Sequence, residues 1–266
     1  MTIVTTVFVV TVLCYVLASG LFVVDLGRGG AQVESWATRA LGAAVAVHCA
    51  YLGVDFAFSG RTPVATVHQT LAVLSLLIAV SFLATMRRHR LPVLGAFITP
   101  MTLLLLLAAS FQGHVAEVPE GVRSFLRPLH VLVNILGLAA FALAFAVAVA
   151  YVIQEQLLRR RHVGGVFQRL PALDVLDSWG FRLVTIGFPL FTLGVVTGSI
   201  WAARLGNVLD FNAGQGFAFL AWVFFACVLL SRAAGGWRGR RAAIGTMLGF
   251  LCALAAIGGY VLRGVS

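Results

Sequence analysis

Eight apolar stretches, each about the ~20 residues a helix needs to cross hydrocarbon, divide this chain. They run at roughly 2–24, 37–59, 65–86, 91–111, 129–153, 180–203, 214–231 and 242–262. Backbone in lipid must satisfy its own polar groups, so stretches of this kind fold as helices. The chain is 61% hydrophobic and 11% charged, with mean hydropathy +1.00, beyond what a water-soluble domain tolerates. The expectation is an all-α, polytopic membrane bundle of about eight transmembrane helices. Only short connections remain among the 266 residues, so 1–266 reads as a single integral-membrane domain without a soluble catalytic part.

Net charge is +10, carried without a single lysine. A basic chain can signal nucleic acid, but these arginines follow topology instead. Arg28, Arg39, Arg87, Arg88, Arg90, Arg159, Arg160, Arg161, Arg169, Arg182, Arg232, Arg238, Arg240 and Arg241 fall toward alternate connections; Arg61, Arg123, Arg127, Arg204 and Arg263 fall toward the others. The positive-inside rule then puts both termini outside, in a multi-pass protein of the cytoplasmic (inner) membrane. Its surroundings are lipid, and no nucleic acid partner is expected. The first stretch has no basic flank before it, and Asp25-Leu26-Gly27-Arg28 lacks a small-residue cleavage site, so it reads as a retained helix.

Cys14, Cys49, Cys227 and Cys252 stand singly within apolar stretches, without zinc or dithiol spacing, and read as packing residues. Pro100 and Pro189 should kink the fourth and sixth helices, whereas Pro128 suits the start of the fifth. Gly194-x-x-x-Gly198 and Gly245-x-x-x-Gly249 clear one side of their helices for neighbouring backbones. Gly27-Arg28-Gly29-Gly30 follows no strand and reads as a plain turn.

Histidine in a bilayer wants a polar partner or a metal. His48 falls near the midplane of the second helix. His68 and His130 open the third and fifth helices, which both run inward, so they share a depth near the external surface. Imidazoles at one level on facing helices can bind opposite faces of a haem; the alternative for each is a histidine hydrogen-bonded within the bundle. His89, His114 and His162 belong to connections and read as solvated. Asp55 lies seven residues after His48 on nearly the same face and is placed to orient an imidazole or guide a proton, or to serve as a helix-contact group. Asn134 stands one turn after His130 and can likewise be a helix-contact polar group.

Several segments together carry a resemblance. His48-Cys-Ala-Tyr-Leu through Ser59-Gly60-Arg-Thr-Pro63, Arg127-Pro-Leu-His130-Val-Leu-Val-Asn134, Thr197-Gly-Ser-Ile-Trp201-Ala202 and Gly236-Trp-Arg-Gly-Arg-Arg-Ala-Ala243 come in an order and spacing similar to the cytochrome c assembly family of haem-handling membrane proteins. The likeness is to its CcsA/ResC and YpjD/HemX-like branch and spans nearly the whole chain. It implies non-covalently held, b-type haem; metal ligands at His48, His68 and His130; and porphyrin contacts at Trp201, Phe211 and Trp222, the last two reading alternatively as interfacial aromatics that anchor a helix. Haem carries two propionates, so the external arginines Arg123, Arg127 and Arg204 are candidate clamps, or else rim arginines anchoring the helix ends at the lipid surface.

The departures are equally specific. The family's tryptophan-rich loop, roughly Trp-Gly-x-x-Trp-x-Trp-Asp-Pro-Lys-Glu, is matched here by Leu205-Gly206-Asn-Val-Leu209-Asp-Phe211-Asn212-Ala-Gly-Gln215. A second intramembrane histidine falls at Leu230, and a second external one has no counterpart after Tyr260. The resemblance therefore implies one haem, held outside by His130 with His68 or a partner's ligand, with a point of admission at His48. Haem would be presented at the outer face for attachment to apocytochrome c, whose own cysteines form the bonds, with a second assembly subunit bearing an external domain as partner. The alternative is a HemX-like regulatory or scaffold protein of haem synthesis or assembly. A small transporter is weaker, since no inverted repeat is evident.

Overall fold

The computed structural model describes residues 3–60, 64, 66–89, 91–110, 126–161, 164–204 and 213–263, the side chains at 87–89, 126–127, 201–204 and 260–263 excepted. Among the described residues every regular element is helical. In chain order these are α1 (Ile3–Arg28), α2 (Ala31–Ser59), α3 (Val67–His89), a 3-10 turn (Pro92–Leu94), α4 (Gly95–Ser110), α5 (Leu126–Arg159), α6 (Val166–Arg169), α7 (Leu173–Arg204), α8 (Ala213–Ala233) and α9 (Arg240–Arg263). Eight are long and apolar enough to cross a membrane, one for each apolar stretch. The chain is thus a multi-pass membrane protein.

Some helices outrun their stretches. The helix of the second stretch begins at Ala31 rather than 37, that of the fifth ends at Arg159 rather than 153, and that of the sixth, α7, begins at Leu173 rather than 180. Hydropathy reports where lipid stops, whereas the backbone ladder continues through polar helix formers such as Gln154, Glu155 and Gln156. Glu155 and Arg159, one turn apart at 2.8 Å, support that extension of α5. Pro100 and Pro189 do lie inside α4 and α7, each withholding a donor from the carbonyl four residues back. Threonine hydroxyls such as those of Thr99, Thr102, Thr185 and Thr246 bond the carbonyl four residues earlier, so their helices stay internally satisfied.

The helices cluster into two compact units. The first comprises Met1–Phe111 and Val152–Val175. Here α1 and α2 pack as an antiparallel hairpin: Phe8 meets Tyr51, and Tyr15 meets His48. α4 packs on α1 and α3, and Phe22 sets its ring edge-on against Phe82 and into the space left by Gly95. At the hairpin turn Gly29 has φ +64, and a Cβ there would overlap the Arg169 guanidinium, which donates to the Asp25 carbonyl at the end of α1. The turn that read as plain is therefore the seat of a cationic cap on α1. Gly29→Val combines a strained φ with that overlap, and should cost about 1–3 kcal/mol, measurable by thermal unfolding in detergent.

The second unit comprises Gln112–Tyr151 and Leu176–Ser266. α5 is its buried spine: Phe141 stacks on Phe225 at 3.6 Å and meets Phe191 edge-on, while Phe145 contacts Phe250. Gly137 and Gly187 bring the backbones of α5 and α7 together; a Cβ at Gly137 would lie 3.1 Å from the Phe191 nitrogen. The Gly245 and Gly249 pair does not meet backbone but receives the side chains of Val228 and Phe225 from α8. The cysteines are free, and Cys49 and Cys227 are exposed on their helices rather than packed inside as expected. In lipid an apolar thiol gains little from being turned inward.

Candidate functional site

Within the first unit, two histidines and two tyrosines make a polar line through otherwise apolar helices. His48 on α2 is fully buried, and its Nδ1 lies 3.2 Å from the hydroxyl of Tyr15 on α1. Its Nε2 is buried with no partner among the described residues. One turn along α2, the Tyr51 hydroxyl lies 2.6 Å from His68 Nε2, and His68 Nδ1 donates to the carbonyl of Ala109 on α4 at 2.8 Å. His68 thus links α2, α3 and α4 with both ring nitrogens engaged. A lone pair becomes available there only if the Tyr51 bond opens.

Asp55 does not orient an imidazole. Its carboxylate accepts from Gln69 Nε2 at 2.8 Å, because α3 presents that amide at its level. Tyr15 and Tyr51 carry the hydrogen bonds instead. A tyrosine in the middle of an apolar helix must find a partner for its hydroxyl, and that is the sequence signal that would have found both.

In the second unit, His130 lies against α7. Its Nδ1 donates to the Gly194 carbonyl at 2.8 Å, with Thr197 Oγ1 3.4 Å away. Asn134 Nδ2 donates to the His130 carbonyl at 2.7 Å and lies 3.2 and 3.4 Å from the two ring nitrogens. A Cβ on Gly198 would sit 2.7 Å from His130 Cε1, and one on Gly194 would sit 2.4 Å from Asn134 Oδ1. The Gly194-x-x-x-Gly198 stripe therefore makes a slot for a histidine and an asparagine, not a backbone-to-backbone crossing.

Trp222 is half-buried, donates from its indole to Thr192 Oγ1 at 3.0 Å, and lies against Phe188 and Phe219. It is a packed residue between α7 and α8. Arg123 and Phe211 lie outside the described residues, as do the side chains of Arg127, Trp201 and Arg204. Leu230, where the resemblance places a second histidine, is 69% exposed on α8.

These geometries can be weighed against haem iron, which needs an imidazole lone pair and an imidazole held from behind. His48 meets both conditions, with an orphaned Nε2 and a held Nδ1. His130 is held at Nδ1 by a carbonyl, the usual support for a ligating imidazole. Among the described residues no three His, Cys, Asp or Glu side chains gather into a separate metal cluster.

Comparison with known proteins gives the same direction. The chain is 27% identical over 234 residues to a cytochrome c biogenesis protein CcsA of Parasynechococcus marenigrum (strain WH8102), covering 78% of this chain and 77% of that one. It is 28% identical over 228 residues to a cytochrome c biogenesis protein CcsA of Chlorella vulgaris, covering 73% and 72%. The family profile for cytochrome C assembly protein matches residues 64–262, from α3 to α9, taking in His68 and His130 and beginning after His48. With three quarters of its length under that profile, the chain belongs to the cytochrome c assembly protein family.

Proposed function

We propose that this protein binds haem through imidazole nitrogens of its helices and presents it at the outer face of the membrane for attachment to apocytochrome c. Its family and its CcsA relatives give it a role in cytochrome c biogenesis, which has haem and apocytochrome c as partners. Haem, when bound, supplies the porphyrin to be joined to cysteines of the apocytochrome. The residues of this chain hold and orient it. The observation that carries the reading is His48: an imidazole, wholly buried, with Nδ1 held and Nε2 facing no partner among the described residues. Leaving such an atom unpaired costs about 1–3 kcal/mol, a cost that a ligand would remove.

In the second unit His130 is the proposed iron ligand for a b-type, non-covalently held haem; in the first unit His48 is the proposed ligand at the point of admission, and His68 can ligate by exchanging its Tyr51 bond for iron. Arg123 and Arg127 are proposed to clamp the propionates, and Trp201 and Phe211 to contact the porphyrin faces. Arginine asymmetry supports external termini in an inner membrane, with a second subunit completing the ligand set. The altered 205–215 stretch favours one other reading, a regulatory or scaffold membrane protein that holds no haem.

The test is an absorption spectrum of detergent-purified protein after haemin addition, with His48→Ala, His68→Ala and His130→Ala alongside. A Soret band in the wild type that shifts or fades in His48→Ala and His130→Ala is the expected result. A wild type that stays colourless after reconstitution overturns the haem reading in favour of the scaffold.

A further inference from the structure

The α1–α2 hairpin lies ahead of the segment that the family profile matches, yet it holds the most enclosed histidine among the described residues. We infer that Tyr15 is the positioning residue for His48, holding the aim of the imidazole toward iron and accepting its Nδ1–H when Nε2 ligates. The inference rests on the haem reading given above.

Tyr15 and His48 are each 0% exposed, and the Tyr15 hydroxyl is the imidazole's sole hydrogen-bond partner among the described residues. The two rings stand edge to face, with centroids 5.6 Å apart and planes at 87°. The Tyr51 ring, with its centroid 6.0 Å away and tilted at 43°, flanks the imidazole without a hydrogen bond to it. Edge-to-face packing and one hydrogen bond hold the imidazole in this orientation. A neutral imidazole carries one proton, and two arrangements satisfy the Tyr15 contact. If the hydroxyl donates to Nδ1, Nε2 bears the proton and is the buried donor left over; if Nδ1–H donates to the Tyr15 oxygen, the Tyr15 O–H is the donor left over and Nε2 keeps its lone pair, the form that iron would select by binding it. Tyr15 Oη then does at His48 what a carboxylate or carbonyl does behind other ligating histidines, drawing on Nδ1–H and making Nε2 a stronger donor.

Tyr15→Phe deletes only the hydroxyl and keeps the ring in place. Haem-loaded variants are compared by equilibrium haemin binding, by spectroelectrochemical midpoint potential and by melting of the haem-free protein. The potential is read on whatever loaded fraction purifies, so folding yield does not enter. Tyr15→Phe should weaken haem binding about 10-fold or more and move the potential positive, because a weaker imidazole donor stabilises ferric iron less. Phe82→Leu, which loosens packing against Phe22 in the same unit without removing a histidine's hydrogen-bond partner, should leave the potential as in wild type. If His48→Ala alters the spectrum but Tyr15→Phe keeps wild-type affinity and potential, the positioning role fails and ligation by His48 stands. A lower melting temperature for Tyr15→Phe with an unchanged potential also overturns it, since that is the mark of packing alone. A wild-type spectrum in His48→Ala removes the ligand reading and this inference together.

Discussion

Gly198→Leu is expected to empty the protein of haem as thoroughly as His130→Ala, although residue 198 offers no ligand atom. A Cβ at this position lies 2.7 Å from His130 Cε1 and 3.0 Å from its Nδ1, and leucine adds three more carbons in the same direction. Overpacking of this kind costs about 1–3 kcal/mol when a neighbour can yield. The neighbour that yields most cheaply is His130, by swinging out of the slot and breaking its bond to the Gly194 carbonyl. The variant should therefore fold, with a modest loss of melting temperature, while haem occupancy falls by more than about 10-fold, at least the usual effect of disturbing the support behind a ligand. Gly249→Leu is the matched control. Its Cβ would meet the Phe225 ring at 3.0 Å, so it should lose comparable stability and keep its haem. Wild-type haem content in Gly198→Leu, measured as the pyridine haemochrome against protein, would show that His130 is no ligand or that its slot does not matter.

That slot shows where sequence reading stops. The eight crossings were legible because lipid imposes a length and a polarity on every span. His48, His68 and His130 were legible as polar exceptions within those spans. The partners were not. A stripe such as Gly194 and Gly198 announces that something approaches closely, but backbone and imidazole read alike in the one-dimensional pattern. Asp55 shares a helical face with His48, which suggested a pair, yet the contact is made across helices to Gln69. Helical period reports which face a residue occupies; the packing of the next helix decides which atom meets it. His68 and His130 looked equivalent at one depth, but the bonds that hold them differ in kind. His68 has one ring nitrogen on Tyr51 and its other on Ala109, whereas Gly194 takes only Nδ1 of His130. Main-chain carbonyls such as those of Ala109 and Gly194 leave no mark on side-chain pattern at all.

The largest stability effect should come from the other end of the second unit, at the ion pair between Asp177 on α7 and Arg232 on α8. The two side chains meet at 2.8 Å and are 19% and 16% exposed. Asp177 also accepts the Gly239 N–H at 2.9 Å, and the Arg232 guanidinium lies over Phe181 at 4.3 Å. One carboxylate thus ties α7 to α8 and to the start of α9, which gives a physical reason for the Gly236–Ala243 segment noted in the sequence. Arg232→Met strands the carboxylate with a single backbone donor. Removing one partner of a fully buried pair costs about 3–5 kcal/mol, and the partial exposure here brings the expectation to about 2–3 kcal/mol. Arg232→Lys should lose less, keeping the charge while giving up the planar stacking on Phe181. The double variant Asp177→Asn with Arg232→Met should lie within about 1–2 kcal/mol of wild type, because the uncompensated charge is gone. Chemical unfolding in detergent across this cycle measures the coupling directly. If the two single changes simply add, the pair is not a clamp, and the fixed geometry of the α8–α9 connection must come from the left-handed turn at Gly239, whose φ is +64.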